Sequence, residues 1–265
     1  MNETSLAQLV ARASRTSRVR SACLLVAALT LAGCAQMPRP DARASTVGSN
    51  ATGTGVFAPP NDPASPAWRG VNLRFKTPTE YSLREIDGRP CIRAVANAAW
   101  SLWVADVPTA LAKATTLSWR WNVPALIADA DNLVPGKDDA PARVVVAFKG
   151  DRTKLDAADR STMNLAKALG GVELPFAAIQ YIWEGKAAPE TIVPNGNTSR
   201  IKKLVVRSGM TGLASWLSFT RDVRADFRLA FPGEEPGEIE SVGLMTDTDS
   251  LGGTAEACYS DIELR

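Results

Sequence analysis

Apolar and polar positions along the chain repeat mainly with a period of two. Leu117, Trp119, Trp121 and Val123 alternate with Thr116, Ser118, Arg120 and Asn122, which predicts a strand with one apolar and one polar face. The same alternation sets Ala142, Val144, Val146 and Phe148 against Arg143 and Lys149, and Ala177, Ile179, Tyr181 and Trp183 against Gln180 and Glu184. Shorter strands are expected at 79–86 and 90–96 around the turn Asp87-Gly88, and at 100–106, 203–208, 239–246 and 258–264. Two stretches keep helical spacing instead. Leu155, Ala158, Thr162, Leu165, Ala166 and Leu169 form the first, with Asp156 and Asp159 in its opening turn and Gly170 as its stop. Trp216, Phe219, Val223, Phe227 and Phe231 recur every three or four residues and predict a second helix over 216–231. Alternation, rather than continuous Val/Ile runs, predicts a mainly β protein: an antiparallel β-sandwich of jelly-roll type with two helical insertions.

The first 66 residues do not share this pattern. Arg12, Arg15, Arg18 and Arg20 precede an apolar run at 22–32, too short to span a bilayer but fitting a secretory signal peptide over residues 1–33. The run ends in Leu31-Ala32-Gly33-Cys34, which resembles the lipobox of bacterial lipoproteins. That resemblance implies cleavage before Cys34 and lipidation of its thiol and new amino group, enough acyl chain for a stable anchor. Ala35 after the cysteine implies the outer membrane, with the protein facing the periplasm. Residues 34–66 are rich in Ala, Ser, Thr, Gly, Pro and Asn and are expected to be a flexible tether. One domain then follows over 67–265.

Composition narrows the chemistry. The 265-residue chain contains no histidine, which removes Ser-His-Asp and Cys-His nucleophilic systems and every histidine-containing metal site. Its net charge of +2 belongs to the signal segment: without residues 1–33 the chain carries 26 basic and 27 acidic residues. A near-neutral chain without a basic run offers nothing to a nucleic acid. Cys91 and Cys258 are the thiols left for a bridge after processing. Cys258 has the parity of Ile262 and Leu264, whereas Cys91 has that of Arg93 and opposes Ile92 and Ala94, so the two are expected to face apart and stay free.

Several short motifs occur in order: Trp119-Arg120-Trp121, Asp138-Asp139 ahead of Arg143-Val144-Val145-Val146-Ala147-Phe148, Tyr181-Ile182-Trp183, Arg221-Asp222-Val223 with Asp226-Phe227, and Asp247-Thr248-Asp249. Together they resemble a bacterial domain of unknown function, family 3047, over about residues 68–265. The resemblance implies an exported bacterial domain without an assigned activity and supplies no functional residues.

Candidate sites therefore come from the residues themselves. Trp119 and Trp121 share a face with Leu117 and Val123 and read as core. Trp103 shares a face with Ser101 and Ala105, opposite Trp100, Leu102 and Val104, which puts one indole among polar groups. With Arg120, Asn122, Arg143 and Glu184 it makes a candidate ligand surface for a glycan or another envelope component. Asp247 and Asp249 match two positions of a calcium loop, but Leu251 and Cys258 stand where ligands belong, so Ca²⁺ is a candidate only through these two carboxylates and backbone carbonyls; no other cofactor is indicated. The leading reading is a non-catalytic, lipid-anchored binding domain. The alternatives are a glycoside hydrolase drawing two carboxylates from Asp222, Asp226, Asp247, Asp249 and Glu184, or a structural partner in an envelope complex.

Overall fold

The computed structural model describes residues 55–265. The signal peptide and Cys34 lie outside the described residues, as does the tether as far as residue 54. Within the described residues the chain forms β1 (Trp68–Val71), β2 (Glu80–Ile86), β3 (Arg89–Asn97), β4 (Leu102–Asp106), β5 (Thr116–Asn122) and β6 (Ala140–Phe148), then α1 (Ala157–Leu165). There follow β7 (Ala177–Glu184), β8 (Ile192–Pro194), β9 (Ile201–Ser208), β10 (Trp216–Asp222), α2 (Val223–Ala230), β11 (Ile239–Asp247) and β12 (Thr254–Leu264). The strands make a seven-stranded sheet, ordered β1-β4-β11-β6-β7-β9-β8, and a five-stranded sheet, ordered β10-β5-β12-β3-β2. The chain crosses repeatedly from one sheet to the other, giving a β-sandwich of jelly-roll type. Pairings between these strands are antiparallel except that of β7 with β9, which is parallel.

The apolar sets of the long strands meet between the sheets. Leu117, Trp119 and Trp121 of β5 face Val144, Val146 and Phe148 of β6 and Ile179, Tyr181 and Trp183 of β7, all of them buried. Trp119 stacks on Tyr181 at 5.1 Å and on Phe219 at 5.2 Å. Each such ring removes some 150–250 Å² from water, so this cluster carries much of the fold's hydrophobic stabilisation. Trp119 and Trp121 are therefore core residues.

The second helix is shorter than its spacing predicts. Residues 216–222 are a strand, β10, pairing along β5 with Phe219 opposite Trp119. Leu217 and Phe219 alternate with Ser218 and Thr220, and the empty edge of β5 lets that period-two pattern prevail. Helix begins only where Asp222 Oδ1 accepts the N–H groups of Arg224 and Ala225, an N-cap, and Phe227 then packs on Phe148. The first helix starts with Asp156 capping the N–H of Asp159, and it continues past Leu165 as a π-helical turn to Gly170, closed by Gly171 in the left-handed region.

Cys91 and Cys258 form a disulfide, with Cα atoms 5.6 Å apart, which corrects the expectation of two free thiols. The parity argument fails at a bulge. The pairing of β12 with β5 shifts by one residue between Ser260 and Glu263, at Asp261 with φ 50°. Ile262 and Leu264 therefore point inward while Cys258 points outward, beside Arg93 and on the same side as Cys91.

Residues 55–66, assigned to the tether by composition, run along the domain instead. Phe57 exchanges two 2.8 Å backbone hydrogen bonds with Leu264, and the Trp68 indole N–H donates to the Pro60 carbonyl at 2.6 Å.

Candidate functional site

The five residues expected to share a ligand surface lie on three different faces. Trp103 points into the sandwich: it pairs with Gly70 and Leu244 and stacks on Tyr81 of the opposite sheet at 5.1 Å. A Cβ on Gly70 would meet the Trp103 ring at 2.9 Å, so glycine in β1 makes room for the indole. Arg120 and Asn122 occupy the outer face of the five-stranded sheet, where Arg120 lies 3.5 Å from Asp261 and Asn122 sits opposite Cys258. Arg143 and Glu184 lie on the outer face of the seven-stranded sheet, and both are buried. Glu184 accepts the N–H groups of Asn132, Lys186 and Ala187 and so fastens the loops around it. These five do not form one surface, because β4 is apolar on both faces and its alternation could not say which face looks inward.

The inward face of β4 is the Ser101-Trp103-Ala105 side, which turns Trp100, Leu102 and Val104 outward. There they help line two adjoining hollows of about 830 and 600 Å³ that share Trp100, Val172, Leu174, Gln180, Ile201 and Met245. Together these make a groove across the outer face of the seven-stranded sheet. Small residues keep its floor low, Ala147 on β6 and Ala178 on β7; beside Val104, Gly243 on β11 leaves room for that side chain, which a Cβ would meet at 2.9 Å. The walls come from residues 69–76 and from the turn after α1. Among the described residues, Trp100 is the sole aromatic side chain lining either hollow, and it is partly exposed.

One end of the groove is a network of charges. Arg143 donates from Nε and Nη2 to the two Asp247 oxygens at 2.8 and 2.9 Å and from Nη1 to Gln180 Oε1 at 2.9 Å, and it also reaches the Asp138 carbonyl. Lys203 donates to Asp138 at 2.9 Å, and Lys76 to Asp249 at 2.8 Å. Burial raises the Asp247 carboxyl to about 6, with Arg143 opposing a larger rise. Burial works against the Arg143 charge too, but Asp247 outweighs it and holds the guanidinium above its ordinary value. Lys203 is lowered by burial and by the nearby Arg143. On Asp138, burial is outweighed by the hydrogen bond and charge of Lys203, which hold its carboxyl below the usual range.

Carboxylate oxygens of Asp139, Asp247 and Asp249 lie within 4.8 Å of one another. Each also accepts from a protein donor: Asp139 from the N–H groups of Ser250 and Leu251, Asp247 from Arg143, and Asp249 Oδ2 from Lys76. The other carboxylates considered for hydrolysis are tied likewise. Asp222 caps α2, and Asp226 accepts from Arg221 at 2.7 Å and from the Tyr181 hydroxyl at 2.9 Å. The period-two reading missed Trp100, Lys203 and Lys76. The one signal for Trp100 was the presence of apolar residues at both parities of 100–106, the mark of a strand covered on both sides.

The profile of one family matches residues 66–263. The chain belongs to that family, described as Protein of unknown function (DUF3047). This DUF3047 domain is also similar to several solved structures. One is the family 11 carbohydrate-binding module of the cellulosomal cellulase Lic26A-Cel5E of Clostridium thermocellum, at 8% identity over 80% of this chain and 95% of that one, with a TM-score of 0.39. Another is the endo-1,4-beta-glucanase CelB2, at 10% identity over 80% and 99% of the two chains, TM-score 0.41. A third is the xyloglucanase domain of NopAA, a type three effector from Sinorhizobium fredii, in complex with cellobiose, at 10% identity over 80% and 96%, TM-score 0.39. No curated protein matches the DUF3047 chain.

Proposed function

We propose that this DUF3047 protein is a non-catalytic, lipid-anchored envelope protein whose groove on the seven-stranded sheet binds a glycan. The observation that carries the reading is the groove itself: a long hollow with a partly exposed Trp100 over an apolar floor and hydrogen-bonding side chains along it. A sugar ring has an apolar face that stacks on an indole and hydroxyls that both donate and accept, so this lining suits it. Binding is favoured over hydrolysis because each acid considered for hydrolysis is engaged by a cation, a hydroxyl or a backbone N–H. The Cys91–Cys258 bridge supports a location outside the reducing cytoplasm.

Trp100→Ala is expected to weaken oligosaccharide binding about tenfold or more, measured by calorimetry, since a stacked ring contributes roughly 0.5–1.5 kcal/mol beyond the area it buries. Its melting temperature should change little, because the ring lies outside the sandwich core. An unaltered affinity would remove Trp100 from the site. The anchor is tested separately: Cys34→Ser should move the protein from the membrane fraction to the soluble one and abolish labelling by a palmitate analogue. Membrane retention with the signal peptide removed would refute lipidation at Cys34.

A further inference from the structure

We propose that the groove selects uncharged ligands, so that the glycan it holds is a neutral one; this rests on the reading of the groove as a glycan site. Five cations line the two hollows, and the protein itself neutralises each of them. At one end Arg143 is held by Asp247 at 2.8 Å, Lys203 by Asp138 at 2.9 Å and Lys76 by Asp249 at 2.8 Å. Toward the other end Arg69 pairs with Asp106 at 2.8 Å and Arg152 with Glu173 at 3.4 Å.

Not all of these pairs could be exchanged for a ligand. The side chains of Arg143 and Lys203 are each 2% exposed, and turning either toward an anionic sugar would leave Asp247 or Asp138 without its counter-charge. The exposed pairs could open, but a uronate or phosphate would then compete with a carboxylate already in place. The exposed Glu240, which lines the larger hollow without an ion pair among the described residues, adds repulsion. A cationic sugar would meet one unpaired carboxylate, the solvent-exposed Glu240, whose pull is weak in water, because Asp247, Asp138, Asp249 and Glu173 are held by Arg143, Lys203, Lys76 and Arg152.

Apart from Glu240, the groups left for a ligand are neutral. Gln180 has given its oxygen to Arg143, so its amide N–H groups remain to donate. The amides of Asn72 and Asn197 and the Ser241 hydroxyl lie along the rest of the groove. Amides and hydroxyls both donate and accept, matching sugar hydroxyls without a net charge to satisfy.

The test is calorimetric titration of the purified full-length protein with neutral hexamers of β-glucan, xylan and mannan and with a hexamer of galacturonate, each at low and high salt. At least one neutral series should bind about tenfold or more tighter than galacturonate, with an affinity that salt leaves unchanged. Galacturonate binding as tightly, or an affinity that falls steeply with salt, while Trp100→Ala still weakens it, would overturn charge selectivity and leave the groove as the site. Binding of none of these, or binding indifferent to Trp100→Ala, would overturn the groove reading and the selectivity with it. Asp249→Asn supplies the converse. It frees Lys76 at the rim and should raise the galacturonate-to-neutral affinity ratio several-fold; an unchanged ratio would refute internal pairing as the cause of the exclusion.

Discussion

Replacing both Cys91 and Cys258 by alanine is expected to lower stability by about 2–5 kcal/mol, roughly 5–20 °C in melting temperature for a domain of this size. The bridge joins residues 167 apart in sequence, so it removes a large share of the unfolded chain's freedom. In the folded state it lies diagonally across β3 and β12, two inner strands of the five-stranded sheet, on the outward face, and both cysteines are at most 1% exposed. Reductant should therefore act slowly on the native protein and quickly once it unfolds. Thiol titration of the denatured, unreduced protein checks the premise directly: both cysteines should be blocked until a reductant is added. Two free thiols at these positions, or a double variant that melts with the parent, would refute the bridge's role.

This bridge also marks where sequence periodicity stops being informative. Alternation located β5, β6 and β7 closely, because in each the core side is apolar while the other side carries charged or amide groups such as Arg120, Arg143 and Gln180. Period two fails wherever one residue is inserted. Asp261 adds that residue to β12, every side chain beyond it changes face, and a parity comparison between Cys258 and Cys91 becomes invalid. Helical spacing misled in the opposite sense at 216–222, where Trp216, Phe219 and Val223 fit a helix equally well. The outcome was decided by the unpaired edge of β5 and by the Asp222 cap, one of which lies some 100 residues away.

The candidate site was less legible for a related reason. A ligand groove on a sheet's outer face needs apolar residues there, so the strands that build it lose the clean in/out contrast on which a sequence reading depends. In β4 both parities are apolar, and only the tertiary pairing with Gly70 and Leu244 shows that Trp103 turns inward and that Trp100 lies on the outward side. Arg143 was legible as a polar residue on β6 but not as a buried one. Its partners come from β11, β7 and the loop before β6, and nothing in local sequence announces that these converge.

That convergence gives the other large expected effect. Arg143→Met should cost about 3–5 kcal/mol at neutral pH, because it leaves the Asp247 carboxylate buried without its counter-charge and takes donors from Gln180 and the Asp138 carbonyl. The double variant Arg143→Met/Asp247→Asn should recover much of the loss, since the neutral amide oxygen can still accept the Ala140 N–H. A single variant within about 1 kcal/mol of the parent would show that the pair does not matter to the fold. The pH dependence separates this ion pair from mere packing. Asp247 titrates near 6 in the folded chain against an ordinary 3.8, so the native state binds this proton more tightly than the unfolded one. Its contribution is thus fully present below about pH 4 and is lost as pH rises through about 6, a loss on the order of 3 kcal/mol. Asp247→Asn should remove that segment from a plot of stability against pH. Arg143→Met should extend it upward, because without the guanidinium nothing opposes burial and the carboxyl takes its proton at higher pH. The Arg143→Met defect should therefore be smaller at pH about 5 than at pH about 7; a defect independent of pH over that window would mean that the arginine is held there for its shape alone.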